Sequence, residues 1–95
     1  GEIAHDDSLR SEAVLRPGGV NVMTSGRAIA HAERTPRDHT GKLNGVQLWT
    51  ALPDAVRHGE PAFQHVPQVP LIESRGGVTQ VFSGSLAGAS SPAHH

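Results

Sequence analysis

Ninety-five residues with 36% apolar side chains, only three of them aromatic, are enough for one small domain with a modest core. The formal charge of −1, with histidine neutral, gives no electrostatic reason to expect binding to nucleic acid or to an anionic membrane. The lack of cysteine excludes disulfides and thiolate metal sites, and no apolar run approaches the roughly 20 residues that span a bilayer.

The first third of the chain consists of short segments with period-two patterns, separated by turn-forming residues. Glycine and proline supply 11 and 7 of the residues, which favours short elements over long helices. Pro17, Gly18 and Gly19 predict a tight turn, because proline fixes φ at a value suited to turns and glycine tolerates positive φ. Strands are predicted over 1–8, 12–16, 20–23 and 27–33.

The rest of the chain mixes loops with further strand patterns. Residues 34–42 are polar and predict a loop, whereas 43–52 carry apolar residues in both parities, which predicts an interior strand covered on two sides. Further expectations are one helical turn over 54–58, an extended stretch over 61–70, strands over 71–74 and 78–83 with a turn at 76–77, and a weakly ordered tail from Gly84. Several short strands joined by turns favour a β-sandwich or barrel.

Residues 27–33 contain the leading candidates for function. Arg27, His31 and Glu33 share one parity, and the other parity holds only alanine. Because residues two apart in a strand point to the same face, His31 and Glu33 are predicted to project together, roughly 6.6 Å apart. An imidazole and a carboxylate on one face can converge on a metal ion. The alternative is a surface histidine and glutamate at a strand end, because H-x-E alone is a weak pattern.

Three sequence blocks, in order and at plausible spacing, resemble the pirin family of the cupin superfamily. They are GEIAHDDS at 1–8, RPGGVNVMTSGRAIAHAE at 16–33 and GVQLWTALP at 45–53. The resemblance runs from residue 1 to about residue 92, and it implies an all-β fold, a cupin-type jelly-roll β-sandwich or barrel. It also implies that 1–92 are a partial N-terminal cupin domain without its first strands, followed by a tail at 93–95. We therefore expect the chain to be an excerpt of a longer protein.

The resemblance also implies a set of metal ligands. Pirin-like proteins hold a divalent iron with four ligands, two from an earlier H-x-H and two from a later H-x-E. The second pair matches His31 and Glu33, with Fe(II) as the expected metal and Mn, Ni or Co as alternatives. The H-x-H pair is expected upstream of Gly1. With two of four ligands, we expect this chain by itself to bind a metal weakly at most.

Four further residues are candidates for lining the same cavity. His5 either lines the cavity or orients a ligand, and the alternative is a solvent-edge histidine on a strand. Arg27 would reach a substrate anion or pair with Glu33, unless it is a surface arginine. Gln47 and Trp49 would form a cavity wall; the alternatives are a buried hydrogen bond for Gln47 and core packing for Trp49.

The resemblance implies two functions from different classes. The first is enzymatic: a quercetin 2,3-dioxygenase that binds a flavonol at the metal and inserts O₂. The second is a non-enzymatic, iron-containing regulator that binds transcription factors or enzymes and does not contact nucleic acid directly. We expect a cytoplasmic protein in either case, and a third outcome is that the 95-residue chain has neither function. Enzyme and regulator would share the same ligands, so the sequence does not separate them.

Overall fold

The computed structural model describes residues 1–39 and 41–94, and its regular elements are all strands. They are β1 (Ile3–Asp7), β2 (Glu12–Leu15), β3 (Val20–Thr24), β4 (His31–Arg34), β5 (Ala62–Val66), β6 (Leu71–Ser74), β7 (Gly77–Gln80), β8 (Ser85–Leu86) and β9 (Ala89–Ser90). The all-β expectation is confirmed, and a turn occupies 54–58 as expected. The described residues contain no helix with the length and apolar character that crossing a bilayer requires. Thr40, in the predicted loop, and His95, in the predicted tail, lie outside the described residues.

The strands pair into one three-stranded sheet and three two-stranded sheets, all antiparallel. In the first sheet β1 lies between β2 and β4. In the second sheet β3 pairs with β5, which brings the side chains of Asn21 and His65 into a hydrogen bond of 2.7 Å. The pairs β6–β7 and β8–β9 are local hairpins. The first two sheets therefore supply the long-range pairing, and both contribute to the candidate site.

The turn between β1 and β2 is organised by Asp7. Its Oδ1 atom accepts the backbone N–H groups of Leu9 at 2.9 Å and of Ser11 at 3.0 Å, as in turns that aspartate side chains stabilise. Arg10 adopts a positive φ of 65° within this turn, and its N–H donates to the Asp7 carbonyl at 2.9 Å. These local bonds hold the Asp7 carboxylate in a defined orientation at the end of β1.

The apolar core is small and lies against the β3–β5 sheet. Val66, Val69 and Ala93 are buried together, and the half-buried Val20 and Val22 pack against them. These residues come from both strands of the sheet and from the segments that follow β5 and β9. The core therefore ties the end of the described chain to the second sheet.

The segment from Gly84 differs from the weakly ordered tail that its composition predicts. It forms the β8–β9 hairpin, and the Ser91 hydroxyl donates to the Phe82 carbonyl at 2.7 Å. Ala93, which we assigned to a tail, is only 4% exposed. Glycine, alanine and serine are small residues suited to tight turns, and Gly84 and Gly88 adopt positive φ here. The composition thus indicates turns and not disorder.

The predicted interior strand over 43–52 is wrong. This stretch contains no strand, and Val46, Leu48 and Trp49 are 81%, 78% and 89% exposed. An apolar pattern on both faces produces an interior strand only where other elements cover both of them. Within the part of the chain that the structure describes, no strand pairs with this stretch. Trp49 is accordingly not a core residue.

Candidate functional site

His31 and Glu33 share one face of the first sheet with two residues of β1. The antiparallel register sets His31 opposite Asp7 and Glu33 opposite His5. Directly opposed residues project to the same side of a sheet, and so do residues two apart in one strand. The four side chains therefore lie together on one face, with His31 and Glu33 adjacent as their parity predicts. Their role as metal ligands remains a prediction.

His5 is a buried residue at the centre of this group. It is 4% exposed, and its ring stacks on Phe63 of β5, with centroids 4.1 Å apart and planes 5° apart. Its ring also stacks with that of His31, at 5.7 Å between centroids and 19° between planes. Because Phe63 belongs to the second sheet, the face that carries His31 and Glu33 is directed toward that sheet. The burial of His5 excludes the solvent-edge alternative.

The Asp7 carboxylate fixes the other side of the His5 ring. Its Oδ2 atom lies 3.0 Å from His5 Nε2, and the Asp7 side chain is closed to solvent. An ionised carboxylate only accepts, so Nε2 is the donor in this bond. Burial acts to raise the pKa of Asp7, but the hydrogen bonds from His5, Ser11 and Leu9 outweigh it and hold that pKa below its ordinary value of 3.8. Asp7 is therefore ionised at neutral pH.

The Glu33 carboxylate has two neighbouring side chains, His5 and Gln47. Its Oε1 atom lies 4.0 Å from His5 Nδ1, which is too long for a hydrogen bond, while its Oε2 atom accepts a hydrogen bond of 3.1 Å from Gln47 Nε2. The Glu33 side chain is 34% exposed. Gln47 itself is exposed, so its hydrogen bond is at the surface and not buried. Gln47 thus contacts Glu33 from the strand-free stretch 43–52.

The structure does not bring Arg27 or Trp49 to this group. Arg27 forms a two-pronged ion pair with Glu60, one arm of which, from Nη2 to Oε2, is 2.8 Å long. Both side chains of that pair are largely exposed, which matches the surface alternative for Arg27. The parity argument fails for Arg27 because β4 begins only at His31, and 25–30 are not a strand. Trp49 is almost fully exposed.

Asp7 and Phe63 are the two members of the site that sequence reasoning missed. The signal for Asp7 was present, because it stands two residues after His5 and so shares its face in a strand. Phe63 gave no such signal. It meets His5 only because β5 pairs with β3 and the second sheet then packs over the first.

The donor atoms of this group can be compared with the ligands that a divalent metal prefers. His31 and Glu33 offer one imidazole nitrogen and one carboxylate, a donor set that suits Fe(II), Mn, Ni or Co. His5 Nε2 is occupied by Asp7. Within 1–39 and 41–94, no three histidine or carboxylate side chains are grouped so that they could hold a metal ion. The described residues therefore fit part of a ligand set and not a complete one.

Comparison with known proteins places this site in a family. The pirin family model matches residues 1–50. The chain is 42% identical over 92 residues to a Pseudomonas aeruginosa protein provisionally named a quercetin 2,3-dioxygenase, covering 97% of this chain and 29% of that protein. It is 40% identical over 96 residues to a pirin-like protein of Caulobacter vibrioides, covering 96% and 33%. The crystal structure of quercetin 2,3-dioxygenase from Acinetobacter baumannii superimposes with a TM-score of 0.84 and 36% identity, covering 100% of this chain and 31% of that chain.

These likenesses define the class of protein and then the family. The strands form part of a cupin β-sandwich, which confirms the predicted fold class. The chain belongs to the pirin family. It spans roughly a third of the length of the curated relatives described above, at 29% and 33%.

Proposed function

We propose that His31 and Glu33 supply half of the ligand set of a metal-dependent cupin protein that acts as a quercetin 2,3-dioxygenase. The observation that carries this proposal is their placement side by side on β4, on the face that turns toward the second sheet. The names of the Pseudomonas and Acinetobacter relatives support the reaction class. The flavonol quercetin is the proposed substrate, and Fe(II) is the proposed metal, with Mn, Ni or Co as alternatives.

The two proposed ligands would contribute different donor atoms to the metal. Glu33 would provide a negatively charged oxygen ligand, and its hydrogen bond from Gln47 limits its rotation. His31 would provide a neutral nitrogen ligand. A divalent iron held by such a set would supply a Lewis-acidic and redox-active centre for the oxidation of a flavonol by O₂. The remaining ligands would come from the H-x-H pair that the family resemblance sets before Gly1.

A non-enzymatic regulator that binds transcription factors or enzymes is the second candidate. The observation that favours it is the exposed apolar stretch 43–52, in which Val46, Leu48 and Trp49 face solvent. Gln47, in the middle of that stretch, bonds directly to Glu33. A protein bound on this stretch would therefore contact a residue that bonds one of the two proposed metal ligands.

The two candidates are separated by adding quercetin and Fe(II) to the full-length protein in air and following the flavonol absorbance. Loss of the absorbance band supports the dioxygenase, whereas no loss from a protein that retains iron supports the regulator. The His31→Ala variant should abolish any turnover. The matched control is His58→Ala, which changes an exposed histidine in the turn before Glu60 and should behave as wild type.

A further inference from the structure

The orientation of His31 depends on packing. A metal-binding histidine commonly donates its second ring nitrogen to a carboxylate or carbonyl, which fixes the ring. Among the described residues, His31 has no such hydrogen bond or ion pair, and its ring contact is with His5 at 5.7 Å and 19°. The side chain is otherwise exposed. The stack on His5 is thus the interaction that restrains the His31 ring.

His5 is itself rigidly held. The Asp7 carboxylate bonds its Nε2 atom at 3.0 Å, and Phe63 covers its ring in a near-parallel stack at 4.1 Å. Asp7 is in turn locked by the backbone N–H groups of Leu9 and Ser11. The His5 ring is therefore restrained by two sets of contacts. Asp7 connects it to the β1–β2 turn, and Phe63 connects it to the second sheet.

We propose that Asp7, His5 and Phe63 form a positioning unit that holds the His31 ring in the direction required for metal binding. His5 is assigned as a positioning residue and not as a ligand because, among the described residues, His5, His31 and Glu33 are not grouped so that they could hold one metal ion. This inference rests on the proposed role of His31 and Glu33 as ligands. It goes further by assigning the orientation of one ligand to an aromatic stack that reaches into the second sheet.

The test uses Co(II) as a probe in the full-length protein, because its visible absorption bands report both the affinity and the geometry of the bound metal. The His5→Gln variant keeps an N–H donor for Asp7 but removes the ring that stacks on His31. We expect its Co(II) affinity to fall about 10- to 100-fold, with a changed visible spectrum of the bound metal. The matched control His58→Gln removes an exposed histidine and should leave both the affinity and the spectrum unchanged.

Two further variants keep the outcome decisive. If His31→Ala binds Co(II) as tightly as wild type, the ligand assignment fails and the positioning role fails with it. If His31→Ala loses binding while His5→Gln keeps wild-type affinity and spectrum, only the positioning role is overturned. If His5→Gln does not fold, Phe63→Leu decides, since it removes the ring that supports His5 and leaves Asp7 untouched. A Co(II) spectrum and affinity equal to wild type in Phe63→Leu would then overturn the proposal. A partial loss of Co(II) affinity with a shifted spectrum would support it.

Discussion

Nε2 of His5 lies 3.0 Å from Oδ2 of Asp7, and the two side chains are 2% and 0% exposed. A buried imidazole bonded to a buried carboxylate is costly to form and costly to break, because either partner left alone would be an unsatisfied polar group. The turn after β1 offsets this cost by giving the second carboxylate oxygen two backbone donors. The pair therefore links the local stability of the first sheet to the candidate site.

The Asp7–His5 pair should make stability depend on pH in a defined direction. The pKa of Asp7 is lowered in the folded protein, so its contribution is present above its ordinary value of 3.8 and is lost as the pH falls through the folded value. The titratable groups on this side of Asp7 are His5, His31, which lies opposite Asp7 on β4, and, beyond His5, Glu33. The Asp7→Asn variant should be less stable than wild type at pH 7, and the difference should shrink as the pH is lowered below about 4.

Urea unfolding midpoints of the full-length protein at pH 7, 5 and 3 would measure this difference. The matched control is Asp54→Asn, since the Asp54 side chain is 91% exposed and its ion pair with Arg57 lies on the surface. A difference between wild type and Asp7→Asn that stays constant down to pH 3 would contradict the lowered pKa.

If His31 is a ligand as proposed, the His31→Ala variant of the full-length protein should not retain Fe(II). Removing one imidazole leaves a coordination position to water, while folding should change little because the His31 side chain is exposed and fills no part of the core. Iron content after desalting, measured beside the thermal unfolding temperature, tests both parts. A variant that retains a full equivalent of iron would show that His31 is not a ligand.

The 95-residue chain by itself should be marginally stable. Four apolar residues are buried, whereas eleven large apolar side chains are exposed among the described residues. Burial of so little apolar surface leaves a small free energy of unfolding. We expect a broad thermal transition by circular dichroism in the far ultraviolet, together with binding of an apolar fluorescent dye. A sharp, cooperative transition from a clean monomer would count against this expectation, and a spectrum dominated by helix would count against the fold.

Trp49 should report the exposed state of 43–52 directly. It is the single tryptophan of the chain and is 89% exposed. Its fluorescence in the 95-residue chain should resemble that of free tryptophan, and acrylamide should quench it almost as efficiently. Blue-shifted emission that resists quenching would instead show that this stretch is covered, as the core-packing alternative requires.

Elements that depend on local geometry were predictable from the amino-acid sequence. Alternation along 31–34 sets His31 and Glu33 on one face, because the two-residue period of a strand is a property of the backbone. Turn-forming residues likewise marked the ends of β2 and β6. The three sequence blocks identified the family, and the family implied the sandwich.

Contacts between residues of different sheets and loops were not predictable in this way, because they depend on how the whole chain packs. His5 stacks on Phe63 because two sheets pack together. Arg27 meets Glu60 because their two loops lie against each other, with the Arg27 N–H donating to the Gly59 carbonyl at 2.8 Å. The apolar pattern of 43–52 predicted a covered strand, yet that stretch is exposed, since no described strand pairs with it. Parity fixes the direction of a side chain within one strand, but burial depends on which other element covers that face, and this is a property of long-range pairing.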